Sequence, residues 1–153
     1  MMKAIFFLFT CILSANLYSQ ENTLTWLTDL EAAQKISEEE KKPILVYFTG
    51  SDWCPPCKKL KTDFWESDKF TVMADSFVLL YIDMPRNKKI IEPKQYNYNI
   101  TLLKKFNKKG VFPKVVALDH EENVLGNLEG YDMRGSASKH FSFLETVLNN
   151  NYQ

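Results

Sequence analysis

Residues Ile44-Leu45-Val46-Tyr47-Phe48 are apolar without a break. A strand with one face in water alternates polar and apolar side chains. A β-rich run with no alternation therefore reads as a strand buried on both faces, which needs helices packed above and below it. That requirement points to an α/β layered sheet. The chain can satisfy it: 45% of its 153 residues are hydrophobic, and roughly 150 residues bury about two thirds of their unfolded surface without disulfide staples. Its 19 basic and 19 acidic side chains balance, so nothing draws it in general to nucleic acid or anionic lipid. A protein or a small molecule is the expected partner.

The amino terminus reads as an address. Met1, Met2 and Lys3 give a short positive start, residues 4–13 are almost wholly apolar, and residues 14–20 turn small and polar. This is the layout of a secretory signal peptide, and the apolar stretch is well short of the roughly 20 residues of a spanning helix. The expectation is a cleaved signal over residues 1–19, a domain over residues 20–153, no stable membrane anchor, and a periplasmic or secreted location. Cys11 leaves with the signal. So does Lys3, which puts 18 bases against 19 acids in the remainder.

The rest of the chain alternates strand and helix signals. Trp26-Leu27 reads as a short first strand. Thr28 or Asp29 caps a helix reaching about Lys41, with Leu30, Ala33 and Ile36 inward and Pro43 ending it. After the buried run and a break at Thr49-Gly50-Ser51-Asp52, residues 53–67 read as a helix with Cys57, Leu60 and Phe64 along one side. Residues 68–74 read as a short turn, 77–82 as a second buried strand and 86–99 as a loop or insertion. Residues 100–106 have helical spacing. Residues 111–118 form a third strand interrupted by Pro113, and 123–129 its hairpin partner. A closing helix starts at Ser136 or Ser138 and lays Phe141, Leu144, Val147 and Leu148 on the sheet. Neither an internal repeat nor a second domain is visible, and His120 and His140 read as surface residues.

Cys54 and Cys57 are the two cysteines left after the signal is removed, and they stand where a strand feeds a helix. Bridging so short a loop staples almost nothing, so the pair is there for chemistry. Placing Cys54 at the N-cap sets its sulfur beside unpaired amides and the positive end of the helix dipole, which favours the thiolate. Cys54 is the expected attacking sulfur. Cys57, one turn on, is the expected resolving sulfur, able to attack the mixed disulfide that Cys54 forms. Pro55 and Pro56 fill the first turn, where a missing amide hydrogen costs little, and stiffen the loop between the sulfurs. A zinc site would need a second ligand pair, and copper a His or Met constellation, that the sequence does not supply. No metal and no cofactor beyond the dithiol is expected.

The run Trp53-Cys54-Pro55-Pro56-Cys57-Lys58 after an apolar strand, with Phe112-Pro113 ahead of Val115-Val116-Ala117-Leu118, resembles the thioredoxin superfamily. The leader from Trp26 to Lys42 and the segment Pro43 to Asp52 resemble exported thioredoxin-like proteins related to the periplasmic domain of transmembrane disulfide reductases. The resemblance implies a three-layer fold, a central mixed sheet with helices on both faces, and a cis-proline at Pro113 facing the disulfide. It also implies that Phe112 offers its backbone to an extended substrate segment, with Trp53 as the other wall of the groove. A proline inside an apolar run agrees on its own account, since it needs an edge, bulge or turn, and an open backbone there captures a strand by β-addition. The implied activity is thiol-disulfide exchange with protein substrates. Electron donation is favoured over oxidation, with a membrane electron carrier as the reducing partner; a redox-silent binding module is the alternative. One departure stands out: where many thioredoxins keep a buried Asp before the motif, this chain has Tyr47 or Phe48. Deprotonation of Cys57 then falls to water, the other thiolate, or a more distant group such as Asp83 or Glu66.

Overall fold

Alternation along three adjacent strands divides the interior into two cores. The computed structural model describes residues 24–151; the expected signal over residues 1–19 lies outside them. The elements are β1 (Trp26–Leu27), α1 (Leu30–Glu40), β2 (Ile44–Thr49), α2 (Pro55–Leu60), α3 (Asp68–Ala74), β3 (Val78–Asp83), α4 (Pro93–Phe106), β4 (Lys114–Leu118), β5 (Val124–Glu129) and α5 (Ser138–Asn151). The strands make one five-stranded sheet in the order β1-β3-β2-β4-β5. β3 runs parallel to β1 and β2, whereas β2/β4 and β4/β5 are antiparallel, so the sheet is mixed.

All six residues of β2 are buried. Leu45 and Tyr47 point to one face with Leu79, Val115 and Ala117, where α2, α3 and α5 contribute Leu60, Phe70 and Leu144. Ile44, Val46 and Phe48 point to the other with Leu80, Ile82, Val116 and Leu118, under Leu30 and Ala33 of α1 and Leu102 of α4. The unbroken apolar run thus serves both layers by the period-2 geometry of a strand. No helix among the described residues is long and apolar enough to cross a membrane.

Four expectations need correction. The first helix ends before Pro43 acts: Lys41 takes the left-handed conformation at φ 55° and its N–H returns to the Ser37 carbonyl, a helix stop of the kind usually given to Gly or Asn. Residues 68–74 are a helix, because the Ser67 hydroxyl accepts from the Phe70 N–H as N-cap and Phe70 is wholly buried. Much of the supposed loop at 86–99 is helix too, since α4 begins at Pro93. Its inward groups there are polar and bonded: the Leu30 N–H donates to Tyr98 Oη at 2.8 Å, and Asn99 Nδ2 donates to the Asp83 carbonyl at 2.8 Å. Finally, His140 is not a surface residue. It is 4% exposed, packed between the Phe64 and Tyr131 rings at centroid distances of 5.2 and 5.4 Å.

Burial pushes the His140 pKa down from 6.5 to about 4. Below pH 6.5 the unfolded chain takes up a proton that the folded chain refuses, so this contribution to stability is complete above that pH and is lost as pH falls toward 4. Urea unfolding of the oxidised protein at pH 7 and pH 5 is expected to show a loss of about 2 kcal/mol from this group. The His140→Leu variant is expected to lack that step; the same loss in the variant would refute the assignment.

Candidate redox site

The sulfurs lie at the end of β2, on a loop held from two sides. Asp83, ending β3 beside Thr49, accepts both the N–H and the hydroxyl of Ser51, at 2.9 and 2.5 Å. Asp52 accepts the N–H groups of Arg86 and Asn87, at 3.0 and 2.9 Å. Those amide bonds, with Asn87 foremost, hold the Asp52 carboxyl below the usual carboxylate range. The loop 49–53 and the segment 83–87 are therefore one clasp made of carboxylates and backbone amides. The loop closes with the N–H groups of Trp53 and Cys54 both donating to the Gly50 carbonyl. A Cβ on Gly50 would stand 2.3 Å from the Trp53 indole, so the close approach of this ring requires glycine.

Cys54 is the N-cap of α2, extended at φ −99°, and its sulfur accepts the Cys57 N–H at 3.2 Å. Cys54 and Cys57 are joined in a disulfide with Cα atoms 5.3 Å apart. Pro55 and Pro56 occupy the first turn. Both cysteines are 2% exposed, so burial does not distinguish them. Their surroundings do: the sulfur of Cys54 accepts the Cys57 N–H, which also donates to the Cys54 carbonyl at 3.1 Å, whereas the carbonyl of Cys57 is anchored in the core. That carbonyl accepts the Lys61 N–H and, at 3.2 Å, the Tyr47 hydroxyl.

Tyr47 rather than Phe48 is therefore the residue beneath the motif, because Phe48 faces the opposite core. Burial raises its pKa from 10.0 to about 12, so the phenol remains neutral near neutral pH. Neither distant carboxylate named from sequence is free: Asp83 holds Ser51, and Glu66 is paired with Lys61. Past α2 the chain widens into a π turn over Lys61–Trp65, with the Glu66 N–H on the Lys61 carbonyl. This turn directs Phe64 and Trp65 into the core.

The Phe112–Pro113 peptide bond is cis, immediately before β4. The Phe112 ring meets Trp53 edge-on at 5.4 Å, which brings the two expected groove walls together. Pro113 is buried and its carbonyl accepts the Gly130 N–H, whereas the N–H and C=O of Phe112 take no hydrogen-bond partner among the described residues. One positioning residue went unseen in the sequence. Asn107, 1% exposed, donates from Nδ2 to the Val111 carbonyl at 2.8 Å and accepts the Val111 N–H at 3.1 Å. Its amide thus acts as a strand partner for the residue preceding Phe112. In the sequence it stands just past residues 100–106 and before Lys108-Lys109-Gly110, with nothing to mark it as buried.

A family model described as thioredoxin-like matches residues 25–120. The chain belongs to the thioredoxin-like family. A thioredoxin-like chain with this CxxC pair closed as a disulfide falls among the thiol-disulfide oxidoreductases. The similar relatives include the disulfide bond reductase DsbH of Chlamydia pneumoniae, 32% identical over 117 residues, a match spanning 75% of this chain and 68% of DsbH. The thioredoxin-related protein DsbJ of the same organism is 31% identical over 102 residues, 66% of this chain but only 29% of DsbJ. Among solved structures, the thioredoxin-like architecture superposes on the DsbH oxidoreductase with a TM-score of 0.72 at 29% identity, covering 83% of this chain and 85% of that one.

Two substitutions test the anchoring of this thioredoxin-like site. Tyr47→Phe keeps the ring and removes one of the two bonds to the Cys57 carbonyl; urea unfolding of the oxidised protein is expected to report a loss of about 1 kcal/mol. Asn107→Ala strips both side-chain partners from the half-buried Val111 backbone and is expected to cost about 1 to 2 kcal/mol. Hydrogen exchange at the Val111 amide should accelerate more than the global stability change accounts for, and an unchanged rate would contradict the role given to Asn107.

Proposed function

We propose that this chain is an exported protein-disulfide reductase in which Cys54 attacks and Cys57 resolves. The observation that carries the reading is the Cys54 sulfur at the helix N-cap, accepting the Cys57 N–H. An amide there stabilises charge on sulfur, so Cys54 is the sulfur that ionises first when the pair is reduced. The Cys54 thiolate attacks one sulfur of a substrate disulfide; the new S–S bond forms as the substrate bond breaks, and a substrate thiolate leaves. Cys57, as thiolate, then attacks the Cys54 sulfur and releases the second substrate thiolate. The substrate has gained two electrons and takes up two protons, and the protein is left as the Cys54–Cys57 disulfide. The pair is its own cofactor.

Tyr47 fixes the Cys57 carbonyl, and so the turn carrying the second sulfur, without supplying a base; water takes the Cys57 proton. Phe112 presents an unpaired backbone beside the Trp53 wall, which suits an extended protein segment better than a small disulfide. The disulfide bond reductase named among the relatives supports electron donation over oxidation. Donation from an oxidising compartment requires a reducing partner, for which a membrane electron carrier is the fitting class. The signal-like start of the sequence supports export.

Reduction of an unfolded protein disulfide by the pre-reduced protein tests the reading. Cys54→Ser is expected to abolish turnover, and Cys57→Ser to halt after one step with substrate covalently trapped on Cys54. Full activity of Cys54→Ser would sink the mechanism and leave a binding module. Equilibration against glutathione and dithiothreitol buffers is expected to place the couple below roughly −250 mV, on the reducing side of the family range, where about 30 mV shifts the equilibrium tenfold.

A further inference from the structure

We propose that Arg86 selects substrates carrying a carboxylate side chain beside the reacting cysteine; this rests on the reductase reading above and names a preference within it. The Arg86 guanidinium lies over the Trp53 ring, 4.7 Å from its centroid. The same indole meets the Phe112 ring at 5.4 Å. A cation is thus laid on the wall next to the residue whose backbone is open to a substrate strand.

It is held there. Both Arg86 and Asn87 donate backbone N–H groups to the Asp52 carboxylate, and Trp53 Nε1–H donates to the Met84 carbonyl at 2.8 Å. These bonds tie residues 84–87 to residues 52–53, so the stack is part of the clasp.

Its charge acts on the Asp52 carboxylate but is held in no ion pair among the described residues. Along α2 and the π turn, Lys59 pairs with Asp63 at 2.8 Å and Lys61 pairs with Glu66. Among the described residues neither Arg86 nor Lys58 is in an ion pair, although both are exposed. Lys58 Nζ reaches the same loop, 3.4 Å from the Asp52 carbonyl. Asp52 is the nearby anion, and its oxygens are committed to the two amides. Asp83, the other carboxylate of the clasp, is 5% exposed, so Arg86 and Lys58 supply the exposed charge at the rim of the groove. A guanidinium stacked on an aromatic face keeps its N–H fork at the edge, where it matches a carboxylate in two parallel bonds. The ligand that meets this geometry is an Asp or Glu side chain of the extended segment bearing the target disulfide.

The test uses two disulfide-linked peptides of one sequence, differing only in Glu or Lys at the positions flanking the cysteine, each reduced by the pre-reduced protein. The Glu peptide is expected to show a kcat/KM about fivefold higher, the size of one exposed ion pair. The ratio should fall toward one in about 0.5 M salt, and invert in Arg86→Glu. Equal kcat/KM for the two peptides in the unsubstituted protein would overturn the proposal while leaving the reductase intact. So would an Arg86→Glu variant that slows both peptides alike and changes the alkylation rate of Cys54, because the arginine would then act on the sulfur. Failure to reduce either peptide or an unfolded protein would instead bring down the reductase reading, and this preference with it.

Discussion

Strand β2 is hydrogen-bonded along both edges and packed on both faces, and every group of the redox site takes its place from the end of that strand. Its partner β3 ends level with it, Asp83 opposite Thr49, so the carboxylate that grips Ser51 is positioned by strand register. Its other partner, β4, pairs Lys114 with Phe48, which sets Phe112 and Pro113 just beyond the last rung. One buried strand thereby aligns the helix that carries the sulfurs and the segment that faces them. Displacing it by a single residue would exchange its two apolar faces and separate the site at once.

Much of this was legible because it is written in periodicity and punctuation. The unbroken run 44–48 required a covered central strand. A Cys-Pro-Pro-Cys turn after it required a helix opening at the first sulfur, and a proline inside the apolar run 111–118 required an exceptional backbone. What stayed hidden was built from single polar bonds between distant positions. The first turns of α4 were invisible because Tyr98 and Asn99 face inward to bond the Leu30 amide and the Asp83 carbonyl, where a hydrophobic stripe would have announced a helix. Asn107 on Val111 and Tyr47 on Cys57 are the same kind of contact. Ser67 ends one helix by spacing but caps the next in the fold, and His140 carries no apolar signal although its ring packs between two aromatics.

The acids near the site are used as fasteners. Asp83 and Asp52 shape the loop, Asp63 joins Lys59 and Tyr131, and Tyr47 stands beneath the motif as a neutral donor. The exposed cations on this side of the molecule stand at the rim, while the Asp83 carboxylate is buried and spent on Ser51. The two cysteines then differ in setting: the Cys54 sulfur stands at the helix N-cap on one amide donor, and the Cys57 carbonyl rests on Tyr47, whose ring packs with Trp65 and Trp26.

The contact between Gly50 and the Trp53 indole joins two positions into one inherited unit. A side chain at 50 is excluded only while a large flat ring occupies 53, and the ring lies flat only while 50 is bare. A chain that loses the tryptophan is released from this contact, whereas a side chain at 50 in its presence has to displace the ring. The easier order of those two changes is therefore set by a distance inside the loop.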